Sequence, residues 1–462
     1  MEATAEKKSI LFTLGEAGEI LGSISEGDPG FHRASIYGIS TDSRTIREGE
    51  LFVAIKGDTY DGHAFLAQAM AKGAVAAVVD RVEAERRGLT GPEYIGVKDP
   101  LYALGELARH YRGKMAAVVT AITGSNGKTT VKNLVYDIIS KRFPAVKSHG
   151  NFNNLIGLPL SIFQLRPDHK FAVFELGMSA RGEILRLGDI AGPDVAVITN
   201  VGPVHLEFLK SVDQVAEAKL EIIEGIKSSG TLVINGDDEN LKARSSRIRR
   251  GLLKFGLEPH NDIKPVGLQF DSARMPSFSV DNHEITVRMP GVHNVYNALA
   301  AYAVARALGI DGREAADSIS VFHPEGMRSE VVNYGGVTMI VDCYNANPAS
   351  MAYALETLSQ MNCEGKRIAV LGDMLELGEQ SVHYHNEVGR QARELGIDYI
   401  FGFGLHAKYI TDRFGIGGRH FDKKEGLSKS LLETVKAGDL ILFKGSRGMA
   451  LEEVVETLKR SI

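Results

Sequence analysis

An α/β fold divided into three domains follows from three features of the sequence. The chain has 462 residues, and at roughly 150 residues per domain that length predicts about three. Short β-rich apolar runs alternate with helical periodicity along most of the chain, the pattern of parallel sheets covered by helices. Glycine, at 50 of 462 residues, exceeds its ordinary share of about 7%, so many close backbone approaches are expected.

The first block, residues 1–113, carries strand-like runs at Leu51–Ile55, Val75–Val79 and Tyr94–Val97, followed by a helix with Leu101, Leu104, Leu107 and Tyr111 on one face. The second, residues 114–328, opens on the apolar run Met115–Ile122, a Gly-rich turn, and a helix bearing Val131, Leu134, Val135 and Ile138 at apolar spacing. Strands are predicted at Phe171–Phe174, Val195–Thr199 and Thr231–Ile234, helices over Asp213–Ile226 and Val295–Leu308, and a less regular segment from Pro259 to Pro290. The third, residues 329–462, repeats the pattern with strands at Val337–Val341, Arg367–Leu371, Tyr399–Phe403 and Leu440–Phe443. These runs are almost wholly apolar, as strands buried on both faces should be.

Composition narrows the class. Two cysteines, Cys343 and Cys363, are too few for a disulfide framework, and a reducing, cytoplasmic setting is expected. The apolar stretch Ile10–Phe12 near the start is too short for a secretion signal, and no segment reaches the ~20 apolar residues of a membrane span. With 53 basic against 58 acidic residues, the net charge builds no field for polyanions. The densest basic cluster, Arg244, Arg247, Arg249 and Arg250, lacks interleaved aromatics and reads as a solvated face.

The strongest local signal is Thr123-Gly124-Ser125-Asn126-Gly127-Lys128-Thr129-Thr130 between a buried strand and an amphipathic helix. Glycines let backbone amides approach phosphate oxygens, and a helix N-terminus adds partial positive charge. Lys128 is placed on the β- and γ-phosphates, and the Thr129 hydroxyl on Mg²⁺. Ile122 stands where the general P-loop has its outer glycine, so the loop is a shorter variant. No Asn-Lys-x-Asp sequence follows, which favours ATP over GTP.

This loop resembles that of the Mur ligases, ATP-dependent amide-forming enzymes of peptidoglycan precursor synthesis. Further family-like stretches follow in order at Phe174–Gly177, Thr199–His205, Ala218-Lys219 and His293–Asn297. Gly150–Pro159, Asp342–Met351, Gly372–Gly378 and Lys444–Arg447 resemble the branch that joins D-alanyl-D-alanine to UDP-N-acetylmuramoyl-tripeptide. That resemblance implies a first domain binding the UDP-substrate, a central ATP-binding domain, and a dinucleotide-fold-like third domain that binds the dipeptide and no dinucleotide. It also implies a cytoplasmic enzyme, expected as a monomer, that forms an acyl phosphate and releases ADP and phosphate.

The resemblance assigns roles residue by residue. Glu175 and His205 are expected to hold Mg²⁺ with Thr129, and Lys219 to be carbamylated and to support a second ion. Asn294 and Asn297 are expected near adenine, and Arg328 and Asp342 near phosphate and ribose. Ser43 and Arg44 are expected at the UDP end, Asn153 and Asn154 at the substrate, and Asn345 and Asn347 at the dipeptide. From the residues alone, Glu175 reads equally as a helix cap, His205 as a turn residue, Lys219 as a solvated lysine, and Asn294 as an N-cap. Polar turns explain the Ser43 cluster equally well.

Gly402-Phe403-Gly404-Leu405-His406-Ala407, with Asp422 following 20 residues after Gly402, spells a dinucleotide fingerprint. The match is weak on its own, and the helix it would open is short. Two other functions remain open: a sister ligase such as a folate polyglutamate ligase, and a nucleotide-gated protein that only binds or hydrolyses ATP.

Overall fold

The computed structural model describes residues 10–23, 29–57, 59–246, 248, 251–324 and 326–462. Residues 1–9 of the N-terminal stretch, and Arg247, Arg249 and Arg250 of the basic cluster, lie outside the described residues. Arg244 is bound rather than solvated, with Nε 2.7 Å from Glu217 Oε1 and Nη2 on Asp213. Among the described residues no helix is long and apolar enough to cross a membrane, and both cysteines are free thiols.

Three parallel-stranded layers form in chain order. A four-stranded parallel sheet pairs Gly38–Ser40, Glu50–Val53, Ala76–Asp80 and Tyr94–Val97. The helix Pro100–Gly113 follows, started by Asp99 accepting from the Leu101 and Tyr102 amides and by proline in its first turn. Its buried Leu104, Leu107 and Tyr111 share one core with the neighbouring sheet.

The central six-stranded sheet is entirely parallel. Its spatial order is Gly251–Phe255, Thr231–Asn235, Val195–Ile198, Val118–Thr123, Phe171–Glu175 and Ala145–Lys147. The first strand in sequence, Val118–Thr123, thus lies inside the sheet, with later strands added on both sides. Strand order reverses there, and a crevice opens at the carboxyl ends, the usual ligand position in such sheets. The phosphate loop, Glu175 and Thr199 all sit at those ends.

The third sheet orders Glu330–Tyr334, Val337–Val341, Leu440–Lys444, Arg367–Gly372, Tyr399–Phe403 and Gly418–Phe421. It is parallel except for its first strand, an antiparallel hairpin partner of Val337–Val341. The helix after Tyr399–Phe403 spans only Ala407–Phe414, and its first amides are already taken: His406 N and Ala407 N both donate to Asp373 Oδ1, at 3.0 and 2.7 Å. A pyrophosphate would need those same donors, so the fingerprint there is filled by the chain's own carboxylate.

Two expectations change in detail. The segment from Pro259 to Pro290 contains a three-stranded antiparallel sheet, Val266–Phe270, Pro276–Val280 and His283–Thr286. The helix expected over Asp213–Ile226 breaks at Glu221 into Val212–Leu220 and Ile222–Gly225.

Candidate active site

The loop between Val118–Thr123 and the helix Lys128–Ser140 is shaped by two glycines. Gly124 has φ +150°, and a Cβ there would fall 1.8 Å from Thr199 Oγ1. Gly127 caps the helix with φ +81°, and a Cβ would fall 2.2 Å from Asn297 Oδ1. The loop is held from outside as well. Asn126 N donates to Asn200 Oδ1 at 2.9 Å, Ser125 N to Asn200 O at 3.0 Å, and Thr199 Oγ1 to Asn126 O at 2.5 Å. Lys128 turns back so that Nζ donates to Gly124 O at 2.9 Å, which keeps the ammonium over the loop.

One turn further along the helix, Lys132 is buried, with Nζ 3.0 Å from Gly150 O and 3.6 Å from Glu175 Oε2. Glu175, at the end of its strand, is only 3% exposed. Its carboxylate accepts from Thr129 Oγ1 at 2.6 Å and Asn153 Nδ2 at 2.9 Å. Burial works to raise the Glu175 pKa, yet Lys128, Lys132, the Thr129 hydroxyl and Arg328 together lower it. Burial depresses both lysines in turn, against the pull of Glu175. The result is an ionised carboxylate facing a cluster of cations at the mouth of the loop.

Lys219 is 2% exposed rather than solvated. Burial, reinforced by the Lys128 charge, holds its amine well below the ordinary lysine pKa. Asn294 is not the N-cap, which is Gly291 of the helix Val292–Ala307. Its amide instead links Pro290 O, at 2.9 Å, to Asn297 Nδ2, at 2.9 Å. His293 stacks on Tyr353, ring centroids 5.7 Å apart, across from the third sheet's first helix.

These groups converge on one cleft of about 820 Å³. Of the residues singled out in the sequence, Ser125 to Thr130, Asn153, Asn154, Glu175, His205 and Lys219 line it, as do Asn294, Asn297, Arg328, Asp342, Asn345 and Asn347. Gly124 lies within the same loop. Ser43 and Arg44 do not line it: Ser43 Oγ donates to Gln68 Oε1 at 2.8 Å, and the exposed Arg44 forks onto Asp42. Arg328 lies over the Tyr344 ring at 3.8 Å, and Asp342 Oδ1 accepts from Ser329 N at 3.1 Å.

Sequence reasoning passed over several residues in the cleft or just behind its wall. Lys132 was readable in principle, since it lies four residues after Lys128 on the same helix face. Lys444 is buried, with Nζ 2.6 Å from Asp342 Oδ2 and 3.2 Å from Asn345 O. Glu376 meets His205. The contacts of Lys444 and Glu376 span 99 to 171 residues of sequence, so no local pattern announces the pairings.

The donors at the loop suit a hard cation. The Thr129 hydroxyl and Glu175 carboxylate are oxygen ligands already in contact, and Mg²⁺ takes one or two carboxylates and completes its shell with water and phosphate. Among the described residues no three His, Cys, Asp or Glu side chains gather as a self-sufficient metal cage.

Comparison with known proteins gives the same outline. Residues 122–305 match the Mur ligase middle domain, 327–447 the Mur ligase, glutamate ligase domain, and 35–112 the Mur ligase family, catalytic domain. The UDP-N-acetylmuramoyl-tripeptide–D-alanyl-D-alanine ligase of Bacillus subtilis is 38% identical over 94% of this chain and 95% of its own. The Escherichia coli protein of that name is 35% identical over 92% and 94%. Among solved structures, MurF from Acinetobacter baumannii superposes with a TM-score of 0.88 at 29% identity, covering 97% of this chain and 99% of that one. The MurF ligase from Thermotoga maritima in complex with ADP gives 0.82 at 31% identity, covering 92% and 97%. The chain belongs to the Mur ligase family, in its branch of UDP-N-acetylmuramoyl-tripeptide–D-alanyl-D-alanine ligases.

Proposed function

We propose that the cleft joins D-alanyl-D-alanine to UDP-N-acetylmuramoyl-tripeptide at the expense of ATP, in peptidoglycan precursor synthesis. The observation that carries this reading is the meeting, in one cleft, of a phosphate loop, an ionised carboxylate among cations, and the Asn345–Asn347 segment that follows the strand Val337–Val341. The ADP held by the Thermotoga maritima relative supports nucleotide binding.

Forming an amide from a carboxylate is uphill because its oxygen is a poor leaving group. The tripeptide carboxylate oxygen attacks the γ-phosphorus, the bond to ADP breaks, and an acyl phosphate forms. The dipeptide amine then attacks the acyl carbon, loses a proton as the C–N bond forms, and phosphate departs from the tetrahedral intermediate. Charge on the attacking and leaving oxygens is neutralised by Lys128 and Arg328, so catalysis is chiefly positioning and electrostatics. Thr129, Glu175 and His205 would hold Mg²⁺, which when bound would add further neutralisation of the triphosphate. Lys219, whose amine burial holds well below the ordinary lysine pKa, is suited to add carbon dioxide with loss of a proton; as a carbamate it would support a second ion. Asn294 and Asn297 face adenine, Asp342 the ribose, Asn153 and Asn154 the muramoyl substrate, Asn345 and Asn347 the dipeptide, and Ser43 and Arg44 the UDP end.

We place the working units at residues 1–113, 114–328 and 329–462, in a cytoplasmic monomer whose closure excludes water from the acyl phosphate. The deciding experiment measures ADP release with each substrate omitted in turn. Full turnover only with both the UDP-muramoyl-tripeptide and D-alanyl-D-alanine is expected. Release that ignores both would leave a nucleotide-binding protein, and turnover with glutamate as acceptor would leave a sister ligase. Lys128→Ala should abolish release; normal turnover by that variant would overturn the role given to the loop.

A further inference from the structure

His205 ends the turn Gly202-Pro203-Val204 in a left-handed conformation, φ +54°, and caps the four-residue helix Leu206–Leu209. Its Nδ1 lies 2.5 Å from Glu376 Oε2. Glu376 belongs to the third domain, in the loop after the strand Arg367–Gly372, and is itself left-handed, φ +64°. Two further contacts fix the same junction. Glu207 N donates to Glu376 O at 3.3 Å, and a Cβ on Gly378 would approach Glu207 Cα to 3.1 Å. Both His205 and Glu376 line the cleft.

The pair is too exposed to matter much for stability, with side chains 24% and 50% accessible, since exposed ion pairs contribute little. Its consequence is orientation. A carboxylate on Nδ1 keeps the ring proton there, leaves the Nε2 lone pair free, and fixes the plane of the imidazole. The partner comes from a different domain, so the orientation lasts only while the third domain rests against the central one.

We propose that Glu376 is a positioning residue that makes His205 a ready cation ligand only when the two domains are in contact, so that cation affinity at the nucleotide site depends on domain position. This rests on the reading of His205 as a cation ligand.

The test uses the whole enzyme with a non-hydrolysable ATP analogue and Mn²⁺ as the probe, free Mn²⁺ being read by its paramagnetic resonance. Glu376→Ala should weaken Mn²⁺ binding about tenfold, the lower end of what loss of such an outer partner costs. Glu376→Gln, which retains an oxygen acceptor, should recover part of that loss. Affinity for the analogue without metal should be unchanged in both, which a merely structural role for the junction would not predict. His205→Ala should weaken Mn²⁺ binding at least as much as Glu376→Ala, and adding Glu376→Ala to it should cost nothing further. If His205→Ala shifts Mn²⁺ affinity and neither Glu376 variant does, the inference is overturned. If His205→Ala shifts nothing, the ligand reading of His205 fails and the inference with it. Glu376→Gln decides the matter should Glu376→Ala fold poorly.

Discussion

Asn126 and Asn347, 221 residues apart in sequence, exchange two side-chain amide hydrogen bonds: Asn347 Nδ2 donates to Asn126 Oδ1 at 2.6 Å, and Asn126 Nδ2 to Asn347 Oδ1 at 3.3 Å. The tip of the phosphate loop is therefore tied to the third domain. Asn347 does a second job, since it caps the helix Pro348–Gln360 by accepting from Ser350 N at 3.0 Å.

The two jobs can be separated by substitution. Asn347→Ala removes cap and bridge together and should cost about 1 kcal/mol from the cap alone. Asn347→Asp keeps a good cap, so its thermal unfolding should stay near that of the parent. It places a negative charge beside a loop built for phosphate, and a charge at ~10 Å in an effective dielectric of ~20 is worth ~1.7 kcal/mol. ADP affinity, measured by calorimetric titration, should therefore fall more than tenfold in Asn347→Asp without a matching loss of stability.

Gly127 and Gly182 offer a matched pair. Both cap helices, with φ +81° and +85°, but a Cβ on Gly127 meets Asn297 Oδ1 at 2.2 Å while one on Gly182 meets nothing within 4 Å. Alanine at either position carries the backbone cost of a left-handed residue, about 1–3 kcal/mol. Only Gly127→Ala should abolish nucleotide binding, since it must also move Asn297 or the loop itself. Equal effects of the two substitutions on ADP titration would show that backbone strain alone is responsible.

The parts of the site legible in the sequence are those whose chemistry is local. Residues 123–130 announce themselves because the loop, its glycines, its lysine and its hydroxyl are consecutive. Glu175 was legible as the end of an apolar strand, although its capture by Lys132 was not. Lys444 closes the buried strand Leu440–Lys444 and Glu376 stands between Leu375 and Leu377; what each side chain meets depends on which strands become neighbours, and strand order in a parallel sheet is fixed by packing rather than by any one segment. The same reason hid the edge strands. Gly251–Phe255 and Gly418–Phe421 are largely exposed or half-buried and carry Lys254, Arg419 and His420, so they lack the apolar run that marks interior strands. In the sheet from Val266 to Thr286, polar Ser277 and Ser279 alternate with buried Phe278 and Val280, a half-buried pattern that the preceding loop residues blur.

Lys132 and Glu175 form a buried pair, and removing one partner of such a pair typically costs 3–5 kcal/mol because the other charge is left behind. Lys132→Met keeps the apolar stem, so the loss isolates the charge. Glu175 still has Thr129 and Asn153, which places the expected destabilisation at the low end of that range. Magnesium with ADP would supply replacement positive charge. The deficit in thermal stability should thus be largest in the metal-free protein and shrink when both are added, beyond the general stabilisation the parent shows on binding. A deficit of the same size in both conditions would mean that the lysine acts through packing rather than through charge on Glu175.

His293 makes folding sensitive to mild acid. Burial, opposed by Asp342 and reinforced by Lys444, lowers its pKa from 6.5 to about 4. Asn294 Nδ2 donates to its Nε2 at 3.1 Å, so the ring is held neutral with its proton on Nδ1, an atom that is buried with no hydrogen-bond partner. Between pH 6.5 and about 4 the unfolded chain binds this proton and the folded chain does not. Stability therefore falls as pH drops through that window, by up to about 3 kcal/mol from this residue. His293→Gln keeps an amide acceptor for Asn294 and cannot titrate. Its denaturation midpoint should decline less steeply than that of the parent between pH 6.5 and 4.5, with the two proteins differing least near pH 7. Parallel pH profiles would show that His293 accepts its proton without unfolding the nucleotide side of the cleft.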